Sequence, residues 1–190
     1  MGPLCHLATT KAVNKFSNTS INWQVGNVLT NLKPDLIHQS HGSVTKLLEL
    51  IEMEYNLLRN IDGEYAVNFL VHYILDSLSV TQTTPCYHGK VDNKVDLACD
   101  LVKNKLLSCK SIFKLEVSSW EEWVDSWRVR KDCLTKSNRP IIEEVKNQWV
   151  IFPNQVSGYC RITIYNAVVL SVSLLKLIEK ERKANKYFKQ

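Results

Sequence analysis

Six glycines and five prolines in 190 residues are too few to build the many tight turns of a sheet-based fold. Long helices with short connections are the architecture that so few turn residues allow. Apolar residues at 45% and charged residues at 23% are ordinary for a folded domain and exclude wholesale disorder. The chain is also long enough to bury a core without staples. The expectation is therefore a single all-α domain of about seven helices. It would be arranged as stacked helical hairpins, a HEAT/armadillo-like α-solenoid, or as an irregular helical bundle. Residues 1–19 are expected to be loosely ordered and residues 180–190 to form a basic tail. Met1-Gly2-Pro3 also fits a domain excised from a longer protein.

Ser118 to Asp132, SSWEEWVDSWRVRKD, carries the strongest local signal. Trp120, Trp123 and Trp127 recur at i, i+3 and i+7, which places three of the five tryptophans along one helix face. Ser119 and Glu122 form a capping box at the helix start. Glu121, Glu122 and Asp125 lie early while Arg128, Arg130 and Lys131 lie late, an order that suits the helix dipole at both ends.

Elsewhere the 3.6-residue period marks further helices. Ile21 to Leu32 suggests one, broken by Pro34, and Ser43–Asn60 another, with Val44, Leu47, Leu48, Ile51, Tyr55 and Leu58 on one stripe. Glu64–Ser79 is apolar around nearly its whole circumference, as a helix packed on several sides must be. His72 inside it reads as a core histidine. Asp92–Lys114 follows, then the tryptophan helix to Thr135, with Ser137-Asn138-Arg139-Pro140 ending that hairpin. Pro140 would open a new helix to Phe152. The last segment, Gly158–Lys186, reads as one buried helix, because its uncharged run from Ile162 to Leu175 is too short to span a membrane. Helix starts near Ser43, Val91 and Arg139 recur every 48 residues, close to the ~40–47 residues of helical-hairpin repeats, in rhythm but without a shared residue pattern.

No glycine-rich phosphate loop, nucleophile elbow, H-E-x-x-H or EF-hand loop occurs. Cys86 and His88 lack the second close ligand pair of a zinc site, so neither a metal nor another cofactor is expected. The six cysteines are scattered, and several fall in apolar helical patterns, which favours reduced, buried thiols and an intracellular protein of nucleus or cytoplasm.

The reading that follows is non-enzymatic: a protein–protein interaction or scaffold domain, a complex subunit, that binds a segment of another protein through a helical surface. Trp120, Trp123, Trp127, Arg128, Arg130 and Lys131 are the candidate partner-binding residues, since Trp and Arg dominate interface hot spots. The arginines would favour an acidic partner. The alternative is a nucleic-acid-associated helical domain using the basic run Lys176, Lys180, Arg182, Lys183, Lys186 and Lys189. The same tryptophan spacing equally fits a core stripe, so the position of that face decides between the two uses.

Overall fold

The computed structural model describes residues 1–17, 44–60, 64–84 and 91–188. Among the described residues the regular structure is helical, with seven α-helices and no strand. They are α1 (Pro3–Ser17), α2 (Val44–Asn60), α3 (Glu64–Leu78), the single turn α4 (Val80–Thr83), α5 (Asp92–Ser108), α6 (Trp120–Asn147) and α7 (Ser157–Phe188). A 3-10 turn, Pro153–Gln155, joins the last two. The helix expected from Ile21 to Leu32, the expected helix start at Ser43, and the candidate ligands Cys86 and His88 lie outside the described residues.

The fold is organised by α7. Ile164, Ala167, Val168, Val169, Leu170, Leu174, Leu175 and Ile178 are all buried, and they occupy every side of the helix. A circumference of that kind has to be covered from all directions. Helices α1, α2, α3, α5 and α6 each pack against it. By length and composition Ser157–Asn185 could cross a membrane, yet 72% of its most apolar window is buried within this fold. The whole segment is a helix; the β-branched stretch from Arg161 to Tyr165 forms no strand.

Small residues explain why α1 shows only a weak apolar stripe. Cys5, Ala8, Thr9, Ala12 and Val13 are its fully buried positions, and short side chains let the helix lie close to α5 and α7. Thr9 satisfies its buried hydroxyl by donating to the Cys5 carbonyl one turn back at 2.8 Å.

Two helix ends differ from the sequence expectation, each for a physical reason. Helix α6 continues through Pro140 to Asn147 instead of restarting there. Its buried stripe Trp123, Trp127, Leu134, Asn138, Ile142 and Val145 runs on both sides of the proline. An interior proline costs about 3 kcal/mol. Burying Ile142 and Val145 returns roughly 1.5–3 kcal/mol each, so continuity wins. Helix α5 ends at Ser108 rather than Lys114. Lys15 from α1 reaches its last turn, donating to the Leu107 carbonyl and to the Cys109 carbonyl at 2.9 Å. A cation on terminal carbonyls is a natural helix stop. Residues 109–117 then run without regular structure, and Phe113 N–H donates to the Tyr165 hydroxyl at 2.9 Å.

Trp123 is fully buried, while Arg128 is exposed and lies 3.6 Å from Asp125. Trp123→Ala should therefore cost about 3–5 kcal/mol in urea denaturation. Arg128→Ala should stay within about 0.5 kcal/mol of the parent.

Candidate functional site

At the start of α6 the Ser119 half of the capping box forms, while Glu122 reaches one residue further back than the box requires. The Ser119 hydroxyl accepts from Glu122 N–H at 3.2 Å, and the Glu122 carboxylate accepts from Ser118 N–H at 2.7 Å. The side chains that follow do not form an exposed tryptophan face. Trp123 and Trp127 are buried and each indole N–H is satisfied inside the protein. Trp123 donates to the Leu170 carbonyl of α7 at 3.0 Å, and Trp127 to the Ser77 hydroxyl of α3 at 2.9 Å. Trp120 is half-buried, its ring stacked between Tyr55 at 4.9 Å and Trp123 at 5.3 Å. The tryptophan stripe is thus a seam that holds α6 to α3 and α7, and the expectation that Trp123 and Trp127 present a partner surface is corrected.

The cations of α6 lie differently. Arg128 is exposed, and Arg130 and Lys131 are half-buried. Arg130 donates to Asn166 Oδ1 at 2.7 Å and lies over the Phe113 ring at 5.6 Å. Burial lowers the Lys131 pKa, partly offset by Asp132. Arg130 and Asn166 form one edge of a groove of about 660 Å³ between α6 and α7, floored by Leu115, Val129, Leu134 and Ile162. Val129 and Ile162 are exposed in it, at 65% and 46%. Asn138 lines the same groove; it is buried, and its Nδ2 meets no acceptor among the described residues. A neighbouring cavity of about 340 Å³ shares Ile162 and Asn166 and adds Lys105, Arg161 and Tyr165.

The structure also assembles two buried clusters that single-residue reading misses. His72 is not an isolated core histidine. His6 from α1 stacks on it, with ring centroids 3.8 Å apart and planes 3° from parallel. Asp76, one turn after His72, places one carboxylate oxygen 3.2 Å from His6 Nε2 and the other 3.0 Å from His72 Nε2. At His6 Nε2 and His72 Nε2 alike the carboxylate lies at ion-pair distance without hydrogen-bond alignment. Their ligand atoms lie within 4.8 Å of one another, but the parallel rings would have to turn for both nitrogens to face one ion. Burial and the neighbouring His72 push the His6 pKa down to about 4, against the pull of Asp76. The two histidines hold Asp76 well below the usual carboxylate range despite its burial. The cluster is a buried carboxylate with two imidazole partners. Its i, i+4 half, His72 and Asp76, was legible on α3; the partner on α1 was not.

The second cluster corrects the expectation of free thiols. Cys5 of α1 and Cys99 of α5 form a disulfide, with Cα atoms 5.0 Å apart. Close packing of two helices through small residues brings the pair within bridging range. Cys160 of α7 is a buried free thiol whose Sγ lies 3.5 Å from the Val95 carbonyl, and burial pushes its pKa up to about 12.

No family model matches the chain, and no curated protein or solved structure matches it either.

Two variants probe the buried acids. Asp76→Asn removes the buried carboxylate that His6 and His72 both face and should cost about 3 kcal/mol, read by chemical denaturation. Glu54 is buried on α2 with an unbonded Oε2, and burial raises its pKa to about 7 from 4.5. A raised carboxylate favours the folded state at low pH, and that contribution is lost as pH climbs from about 4.5 through 7. Glu54→Gln should therefore leave stability at pH 5 nearly unchanged and gain roughly 2 kcal/mol over the parent at pH 8. Equal melting shifts at both pH values would show that Glu54 is not the cause.

Proposed function

We propose that the protein is a non-enzymatic interaction domain whose α6–α7 groove binds an acidic, amphipathic segment of a partner protein. The single observation that supports this most is the groove itself. It sets the exposed apolar side chains Val129 and Ile162 beside the polar groups of Arg130 and Asn166. Large apolar side chains left exposed in a concave site, with a few fixed polar groups, are what peptide-binding grooves present.

Charge selects the occupant. The groove lining holds Arg130 and Asp125, and between Asp125 and Ile141 α6 carries Arg128, Arg130, Lys131, Lys136 and Arg139 against Asp125 and Asp132. Lys105 and Arg161 extend the positive surface into the adjoining cavity. A partner helix with apolar residues at i, i+3 and i+4 and acids on its flanks would fill the floor and meet the rim. In this reading Arg128, Arg130 and Lys131 are contact residues, and Trp120, Trp123 and Trp127 act by holding α6 in place.

Packing favours a bundle over a stack of hairpins as the architecture behind this surface. In a solenoid each repeat meets only its neighbours. Here α1 lies against α5 and α7, far along the chain, and α7 meets five other helices. In the basic run at the chain end Glu179 meets Lys183 at 3.4 Å, while Glu181 is taken up by Arg59 and Tyr55 of α2.

Selection of random 20-residue peptides displayed against the parent, with counter-selection on Val129→Arg, tests the proposal. Val129 is 65% exposed, so the arginine blocks the groove without disturbing the core. Enrichment of acidic peptides with helical apolar spacing, binding Val129→Arg at least tenfold more weakly, is the expected result. Enrichment of basic peptides, or equal binding to the variant, would overturn the groove assignment.

A further inference from the structure

Three helices each contribute one fully buried cysteine to a single point: Cys5 from α1, Cys99 from α5 and Cys160 from α7. Their sulfur atoms all lie within 4.8 Å of one another. A disulfide uses two of them, and the third has no part in it. We propose that, once the Cys5–Cys99 bond is reduced, these three sulfurs form a binding site for one soft cation, Cu⁺ in particular. The disulfide and the metal thiolate would be alternative closures of the same helix junction.

The geometry supports a trigonal set. With metal–sulfur bonds of about 2.3 Å, three sulfurs around one ion stand about 4 Å apart, inside the observed limit. Thiolate donors select soft ions, and an all-sulfur site suits Cu⁺, which accepts few ligands. The surroundings are buried and largely apolar, with Val95, Ala98 and Ile164 fully buried nearby and Asp96 and the chain's amino group as charged neighbours. Such surroundings hold Cys160 as a neutral thiol, so a cation is required to draw off its proton. A thiol held neutral is also a poor attacker of the neighbouring disulfide, since exchange needs the thiolate. The contrast with His6, His72 and Asp76 is one of direction. Those ligand atoms are carried by parallel rings on two helices, while the cysteines converge from three.

The chemistry balances without an unnamed reagent. A phosphine reductant with water gives two electrons and two protons to the Cys5–Cys99 bond, yielding two thiols and the phosphine oxide. One Cu⁺ then binds three sulfurs as thiol protons pass to solvent, and each Cu–S bond replaces an S–H bond.

The test uses the full chain with Cys86, Cys109 and Cys133 replaced by serine, so that other thiols do not contribute. The phosphine-reduced protein, free of oxygen, is equilibrated with Cu⁺ held by a chromophoric competing chelator. One copper retained per chain is expected, with none retained by the oxidised protein. Adding Cys160→Ser should weaken retention at least tenfold while the far-ultraviolet circular dichroism keeps its helical form. X-ray absorption at the copper edge, measured on the chain with Cys160 intact, should count three sulfur neighbours, and this reading stands even where the serine variant fails to fold. No copper retained by the reduced chain, equal retention by a folded Cys160→Ser variant, or only two sulfur neighbours would each overturn the proposal.

Discussion

Everything in this fold follows from the need to cover α7 on all sides. A helix whose middle is apolar around its whole circumference is insoluble alone and cannot lie at an edge. Five helices therefore surround it, and their own polar faces become the protein surface. The tryptophan seam is one such contact. Trp123 reaches the Leu170 carbonyl in the most buried part of α7, and Trp127 ties the same helix to Ser77 of α3. Each indole thus supplies a large apolar area and a specific hydrogen bond at once. That combination fixes the rotation of α6, and the rotation turns Val129 and Arg128 outward. The groove proposed as a binding surface is a consequence of how the core is locked.

Chain ends of helices are handled by side chains from elsewhere in the fold. Lys15 of α1 closes α5, and Lys94 of α5 closes α6 by donating to the carbonyls of Val145, at 3.1 Å, and Gln148. Each lysine neutralises the negative end of a helix dipole and satisfies carbonyls left without a partner. These stops are tertiary, which is why the periodicity of α5 overran its true end. Local pattern carried the apolar residues on to Phe113, but the capping group sits in another helix.

The same distinction separates what was legible from what was not. Helices α2, α3 and α7 were readable because their apolar residues repeat at the helical period, and Ser119 announced its own helix start. Pro140 misled because a local helix breaker is overridden when burial continues past it. The tryptophan spacing showed that a face existed but not which way it pointed, since core and interface demand the same side chains. The clusters were out of reach for a different reason. Cys5 and Cys99, or His6 and His72, are separated by long stretches of chain, and residue spacing says nothing about which helices will meet. His72 and Asp76 at i, i+4 were the one available signal, and a carboxylate one turn from a buried histidine is a pairing that sequence does show.

Helix α1 brings the two clusters together, and its composition accounts for both. Cys5 and His6 are consecutive, so they project to different sides of the helix: one toward α5 and α7, the other toward α3. The small residues Ala8, Thr9 and Ala12 allow α1 close enough to its neighbours for a disulfide on one side and a ring stack on the other. A bulkier residue at any of these positions would separate the helices and weaken both at once. The buried charge of Asp76 depends on this as well, because His6 supplies half of its partners and reaches it only across that short interhelical distance. The polar core of the protein is therefore as sensitive to the packing of α1 as the apolar core is to the encirclement of α7.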